Sequence, residues 1–147
     1  MLNQTQLAQI KEFGLDIDWN SSFGGKSKGN MHLSRTVRWS NELAKGLLDK
    51  DKINFSVLEA GAWLHDTNLE VDIAGETLLN RNKVKSFLQG IGVSRDEISQ
   101  IIHCIEAHDG RIKAKSIEAK IVHDADTLDK MGPLGIIRET WKRSQIG

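Results

Sequence analysis

The stretch Val57-Leu-Glu-Ala-Gly-Ala-Trp-Leu-His-Asp66 decides how the rest of the chain must be arranged. Its apolar and small residues leave no polar stripe wide enough to face water, so it reads as a helix buried over most of its surface. That helix ends on an imidazole and a carboxylate side by side. Ionisable groups are costly to bury unless they are paired or hold a metal. Three other segments carry groups that could close around the pair. They are Met31-His-Leu-Ser-Arg35, Ile105-Glu-Ala-His108 and Val122-His-Asp-Ala-Asp-Thr-Leu-Asp129.

Outward from this stretch the apolar spacing is helical almost everywhere. Leu7, Ile10 and Phe13 predict a first helix over residues 3–13, followed by a loop from 14 to 30 rich in Gly, Ser and Asn. Gly25-Lys26-Ser27 resembles the end of a phosphate-binding P-loop, but position 20 is Asn where that motif needs Gly, and no strand precedes it. A second helix is expected over 31–48 with Leu33, Val37, Leu43 and Leu47 inward. Asn54 or Ser56 caps the third, which ends near His65 and Asp66. A fourth covers 72–89 and stops at Gly90 and Gly92. Ser94-Arg-Asp-Glu97 has the pattern of a capping box and opens a fifth, to 109. A sixth spans 117–130, where 119–122 would also fit a strand, and a last one spans 134–142. One Pro in 147 residues fits this reading. The expectation is a single all-α domain, a bundle of about six or seven helices.

Composition narrows the function. Twenty basic residues against twenty acidic ones give no net charge, which excludes a strongly basic nucleic-acid surface as the defining feature. One cysteine, Cys104, rules out an intrachain disulfide and, with no second Cys, a structural zinc site of the usual kind. No run approaches the roughly 18 apolar residues of a membrane span. The N-terminus lacks the pattern of a signal peptide, so the cytoplasm is the expected compartment.

Adjacent helical residues point about 100° apart, so His65 and Asp66 can share an ion only in the wedge between them, and other helices must complete the site. Two His and two Asp would make a mixed nitrogen and oxygen site for Mn²⁺, Fe²⁺, Co²⁺ or Zn²⁺ rather than Ca²⁺.

The order His32-x-x-Arg35, then Trp63-Leu-His65-Asp66, then Asp124-Ala-Asp126-x-Leu-Asp129-x-x-Gly132 resembles the HD-domain metal-dependent phosphohydrolases, over residues 28–138. The resemblance implies that fold and a metal set of His32, His65, Asp66 and Asp126. Asp126 is chosen over Asp124 because Ala125-Asp126-Thr-Leu matches the family element. His123-Asp124 is a rival His-Asp pair that lacks the apolar run in front. Asp129, three residues after Asp126, could orient a ligand or the attacking water. His108 matches a family histidine and would face the substrate or the leaving group. No histidine lies between Asp66 and His103, which favours one ion, with His103 peripheral.

The reaction so implied is hydrolysis of a phosphate ester or anhydride in a small phosphorylated substrate, a nucleotide above all, with Asp66, Asp129, His108 and Arg35 as the catalytic group. Arg35 is the best-placed cation for developing phosphate charge, with Lys26, Lys28 and Arg138 as further substrate contacts. A non-catalytic metal or nucleotide sensor and a di-iron oxygenase of the same superfamily are the alternatives. Trp19, Trp39, Trp63 and Trp141 could serve a homodimer interface, although tryptophan is first of all a core residue. Neither a membrane nor a nucleic acid is an expected partner.

Overall fold

The computed structural model describes residues 1–68 and 76–146, all of them helical or in turns and loops. Helix α1, Gln4–Asp16, opens on an Asn3 capping box in which Asn3 and Gln6 exchange side-chain and backbone bonds. The loop expected over 14–30 begins only at residue 26. The helical rod continues into a π-helical turn, Ile17–Ser21, and a short 3-10 turn, Ser22–Gly25. Gly14 does not break the helix. A Cβ at this position would strike the Trp63 carbonyl, so glycine is what lets α1 lie against the next layer. Ile17, buried like Ile10 two turns earlier, carries the apolar face onward.

Helix α2 spans His32–Gly46, and its buried face is Leu33, Thr36, Ser40 and Ala44. Leu43 and Val37 are half-buried. Leu47, expected inward, is 40% exposed, because the backbone turns extended there and leaves the helical face. Helix α3, Phe55–Leu64, is capped by Asn54, whose side chain accepts the Val57 N–H. Eight of its ten residues are buried, as a helix apolar all round requires. It packs against α1, α2, and the later helices α5 (Arg95–Ala107) and α6 (Ile117–Asp129), so it is the axis of the bundle.

Two local features set the packing. Gly61 permits close contact between α3 and α5, because a Cβ there would stand 2.7 Å from Cys104 Cβ. Burial pushes the Cys104 thiol up to about 12, which makes it an inert core group. Helix α4, Glu76–Gly90, joins α1 through Phe13 and Phe87, stacked at 4.0 Å between ring centroids. The first residues expected for α4, from 72, lie outside the described residues.

Ser94 caps α5 by accepting the Glu97 N–H, and Ser116 caps α6 by accepting the Ala119 N–H. Residues 119–122 are helical, so the strand alternative fails. Gly132, with φ of 75°, turns the chain, and Pro133 sits in the first turn of α7, Gly132–Ile146, where its missing N–H costs nothing. Seven α-helices are present among the described residues, and the fold is all-α. None of these helices is long and apolar enough to cross a membrane.

Candidate metal centre

Helix α2 presents His32 at its first residue, where Asn30 Oδ1 accepts the His32 backbone N–H. Helix α3 stops at Leu64, and His65–Asn68 form a 3-10 turn. The His65-Asp66 pair therefore sits just beyond the helix rather than in its last turn. The tighter turn swings both side chains toward α2 and is held by the Thr67 hydroxyl donating to the Leu64 carbonyl (2.6 Å). Helix α6 supplies Asp126 and Asp129 from its buried side.

These elements converge on His32 Nε2. It lies 3.1 Å from His65 Nε2, 3.3 Å from Asp66 Oδ2 and 3.2 Å from Asp126 Oδ1. His65 Nε2 lies 3.6 Å from both Asp66 Oδ1 and Asp126 Oδ1. His32, His65, Asp66 and Asp126 are all buried.

The outer nitrogens fix the tautomers. His65 Nδ1 faces the Ala62 carbonyl at 2.8 Å, and a carbonyl only accepts, so Nδ1 carries the proton and Nε2 keeps its lone pair. His32 Nδ1 faces Asp129 Oδ2 at 2.6 Å, so a proton sits there too, and a neutral His32 offers Nε2 to a ligand. With both rings neutral, two lone pairs would point at one another with two carboxylates beside them. Asp66 Oδ2 and Asp126 Oδ1, although near His32 Nε2, are buried oxygens with no hydrogen-bond donor among the described residues. Such an arrangement requires a cation at its centre.

The protonation pattern reports the same demand. Burial works to lower the His32 pKa, but Asp126, Asp129 and Asp66 outweigh it and raise it to about 10. Burial opposes ionisation of Asp66 and Asp126, yet the neighbouring histidines hold both well below the usual carboxylate range. A proton on His32 or a metal ion would each satisfy the site. Donor atoms bonded to one ion at about 2.1 Å stand about 3.0 Å apart at right angles and about 3.4 Å apart in a tetrahedron. The observed 3.1 to 3.6 Å fits that spacing, and the buried His32-His65-Asp66 group is able to hold a metal.

The remaining residues fall into place around this group. Asp129 does not face the centre. It stands behind His32 and is gripped by Arg35 through Nε (2.7 Å) and Nη2 (3.1 Å), which makes it an orienter of His32. His108 is buried, with Nε2 3.7 Å from Asp66 Oδ1 and Nδ1 donating to the Ile105 carbonyl at 2.6 Å. Burial, then His65, keeps its pKa low, so the ring is neutral at pH 7. His103 is peripheral, accepting the Lys115 N–H at 2.9 Å. In the rival pair, Asp124 is exposed and His123 donates to the His108 carbonyl at 2.7 Å. Arg138 reaches in from α7, with Nη2 3.6 Å from Asp66 Oδ2. Lys130 Nζ meets the outer oxygen of Asp126 at 2.5 Å.

A cavity of about 420 Å³ is bounded by Lys26, Lys28, Arg35, Arg138, Leu134 and Trp141 among others, and Arg138 connects it to Asp66. Lys26 and Lys28 are exposed at its rim. Trp63 is in the core, while Trp39 is 39% exposed on α2 and Trp19 and Trp141 are half-buried.

Asp18 escapes a reading of the sequence. It is buried in the π-helical turn, within electrostatic reach of Asp66, His32, His65 and Arg138. The signal that could have found it is the buried Ile17, which keeps the spacing of Ile10 and marks the helix as continuing.

No family model matches the chain. Over 113 residues it is 32% identical to YpgQ of Bacillus subtilis (strain 168), an uncharacterized protein, with 73% of this chain and 53% of the relative covered. The chain spans about half the length of that curated relative. A crystal structure from Lactobacillus plantarum, a structural genomics target, aligns with a TM-score of 0.77 at 28% identity, over 100% of this chain and 66% of that one.

Proposed function

We propose that this chain is a metal-dependent phosphohydrolase of the HD-domain type, acting on a phosphate ester or anhydride of a small substrate such as a nucleotide. One observation carries the reading: two imidazole Nε2 atoms and two buried carboxylate oxygens without a donor among the described residues converge, and Arg138 links them to a cavity edged by four cations. His32, His65, Asp66 and Asp126 would hold one divalent transition metal, with Mn²⁺, Fe²⁺, Co²⁺ and Zn²⁺ all compatible with such donors. When bound, the ion lowers the pKa of a water and polarises a phosphoryl oxygen.

The residues of the chain do the rest. Asp129 and the Ala62 carbonyl keep the Nε2 atoms of His32 and His65 free to ligate. Arg138, close to Asp66, neutralises phosphoryl charge, with Lys26 and Lys28 guiding the anion from the rim. Neutral His108 faces the leaving group. The cytoplasm is the compartment we assign.

The test is to load metal-free protein with Mn²⁺ and to offer nucleotides and phosphomonoesters, with Asp66→Ala in parallel. Released phosphate or pyrophosphate that disappears in the variant supports the hydrolase and identifies the bond cut. Tight Mn²⁺ binding without turnover would replace it with a metal or nucleotide sensor.

A further inference from the structure

We infer that Asp18 is the residue that takes the proton from the water consumed in hydrolysis; this rests on the hydrolase reading above. Asp18 is only 6% exposed, and its Oδ2 is buried with no hydrogen-bond partner among the described residues. An unsatisfied buried carboxyl oxygen destabilises a fold unless a ligand or a reaction uses it. Its position is built. Asp18 lies in a π-helical turn, a distortion that recurs at functional sites, and the Ser27 hydroxyl donates to the Asp18 carbonyl. The turn packs against the His65–Asn68 turn that carries the His-Asp pair. Trp19 Nε1 donates to the Asn30 carbonyl at 3.2 Å, which ties the same turn to the start of α2.

The other acids around the centre are already engaged. Asp129 serves His32 and Arg35, Asp126 faces Lys130 and both histidines, and Asp66 lies between His32, His65 and Arg138. At the adjoining end of α1, Asp16 accepts from the Asn20 amide at 2.6 Å and takes no part. The charged groups facing Asp18 come from three directions: Asp66 and His65 after α3, His32 on α2 and Arg138 on α7. Burial, then the charge of Asp66, pushes its carboxyl up to about 6 against the pull of His32, Arg138 and His65. A base with that value is ionised near neutral pH and still accepts a proton readily.

The step balances without another reagent. One O–H bond of water breaks, its proton going to Asp18 Oδ2 and its electron pair staying on oxygen. That oxygen bonds to phosphorus as the bond to the leaving group breaks, and the leaving group departs with the pair. Asp18 then returns its proton to solvent.

The experiment compares the Mn²⁺-loaded parent with Asp18→Asn and Asp18→Glu in turnover against pH, Mn²⁺ titration calorimetry and thermal melting. The expected Asp18→Asn protein melts at or above the parent, since an amide replaces an unpartnered buried carboxyl. It binds Mn²⁺ within about tenfold of the parent, because the ion pairs of His32 and His65 among the described residues are with Asp66, Asp126 and Asp129 and not with Asp18. Its kcat falls by about 100-fold or more, with the acid limb of the pH profile lost, and Asp18→Glu recovers part of the rate. Asp18→Asn turnover within about threefold of the parent, with the acid limb kept, overturns the inference and points to His108. Melting well below the parent, or a Mn²⁺ affinity loss beyond about tenfold, also overturns it, by making Asp18 structural or part of the metal site. A parent without turnover overturns the hydrolase reading and this inference together, whereas an active parent with an active Asp18→Asn overturns this one alone.

Discussion

Asp129 Oδ2 stands 2.6 Å from His32 Nδ1 although 97 residues separate the two in the chain. Arg35 holds the other carboxylate oxygen at 2.7 Å, so the pair is locked from both sides. Carboxylates behind metal-ligating histidines fix the ring and raise its basicity, and losing one costs about 10- to 100-fold in metal affinity. Asp129→Ala is therefore expected to weaken Mn²⁺ binding by that factor in calorimetry. An unchanged affinity would remove Asp129 from the metal centre.

The same carboxylates make the metal-free protein pH-sensitive. His32 is raised from 6.5 to about 10 on folding, so its contribution is complete below pH 6.5 and is lost as pH rises through about 10. Asp129 is lowered from 3.8 to about 2, so its contribution is complete above pH 3.8 and is lost as pH falls through about 2. Metal-free protein should melt at a lower temperature at pH 9 than at pH 6. Mn²⁺ replaces the His32 proton, so the rise in melting temperature it produces should be larger at pH 9. Equal melting of the chelated protein at both pH values would contradict this account of His32.

Helical spacing and caps are local signals, which is why the all-α fold, the Ser94 N-cap and the Gly132-Pro133 break can be read from the chain alone, although Glu97 accepts from the Ser94 hydroxyl instead of closing the expected capping box. The convergence of His32, His65 and Asp66, with Asp126 against both histidines, could be suspected because ionisable groups close a buried helix. What stays hidden depends on pairs distant in sequence. Gly14 reads as a helix breaker until the Trp63 carbonyl is seen against it, and that misreading conceals the π-helical turn and Asp18. Nothing near Asp129 in sequence says that it serves His32 rather than a water.

Gly61 lies at a close contact between α3 and α5. An added methyl would lie 2.7 Å from Cys104 Cβ and 3.1 Å from its Sγ. Cβ is fixed to the backbone and cannot swing away, so the helices must part. Overpacking of this kind costs about 1–3 kcal/mol, against a gain of about 1 kcal/mol in helix propensity for Gly→Ala. Gly61→Ala should be less stable than the parent by up to about 2 kcal/mol in urea unfolding, the balance of those two effects. A stabilised variant would show that the two helices are free to separate.

Arg35 and Arg138 look alike in the sequence, yet they are placed for different tasks. Arg35 spends its Nε and one Nη on Asp129, so its influence runs through His32. Arg138 points at Asp66, with its side chain 12% exposed at the wall of the cavity, where a phosphoryl group would meet it. Arg35→Ala should therefore lower Mn²⁺ affinity, as Asp129→Ala does. Arg138→Ala should leave Mn²⁺ binding within a few fold and reduce kcat/KM by about 100-fold, the usual effect of removing one charge-stabilising donor. Lys26 and Lys28 are exposed, so alanine at either should raise KM by only a few fold, and less at high salt. Steady-state kinetics with matched Mn²⁺ titrations separate these cases. Equal losses of metal affinity in both arginine variants would show that Arg138, too, acts through the ligands rather than on the substrate.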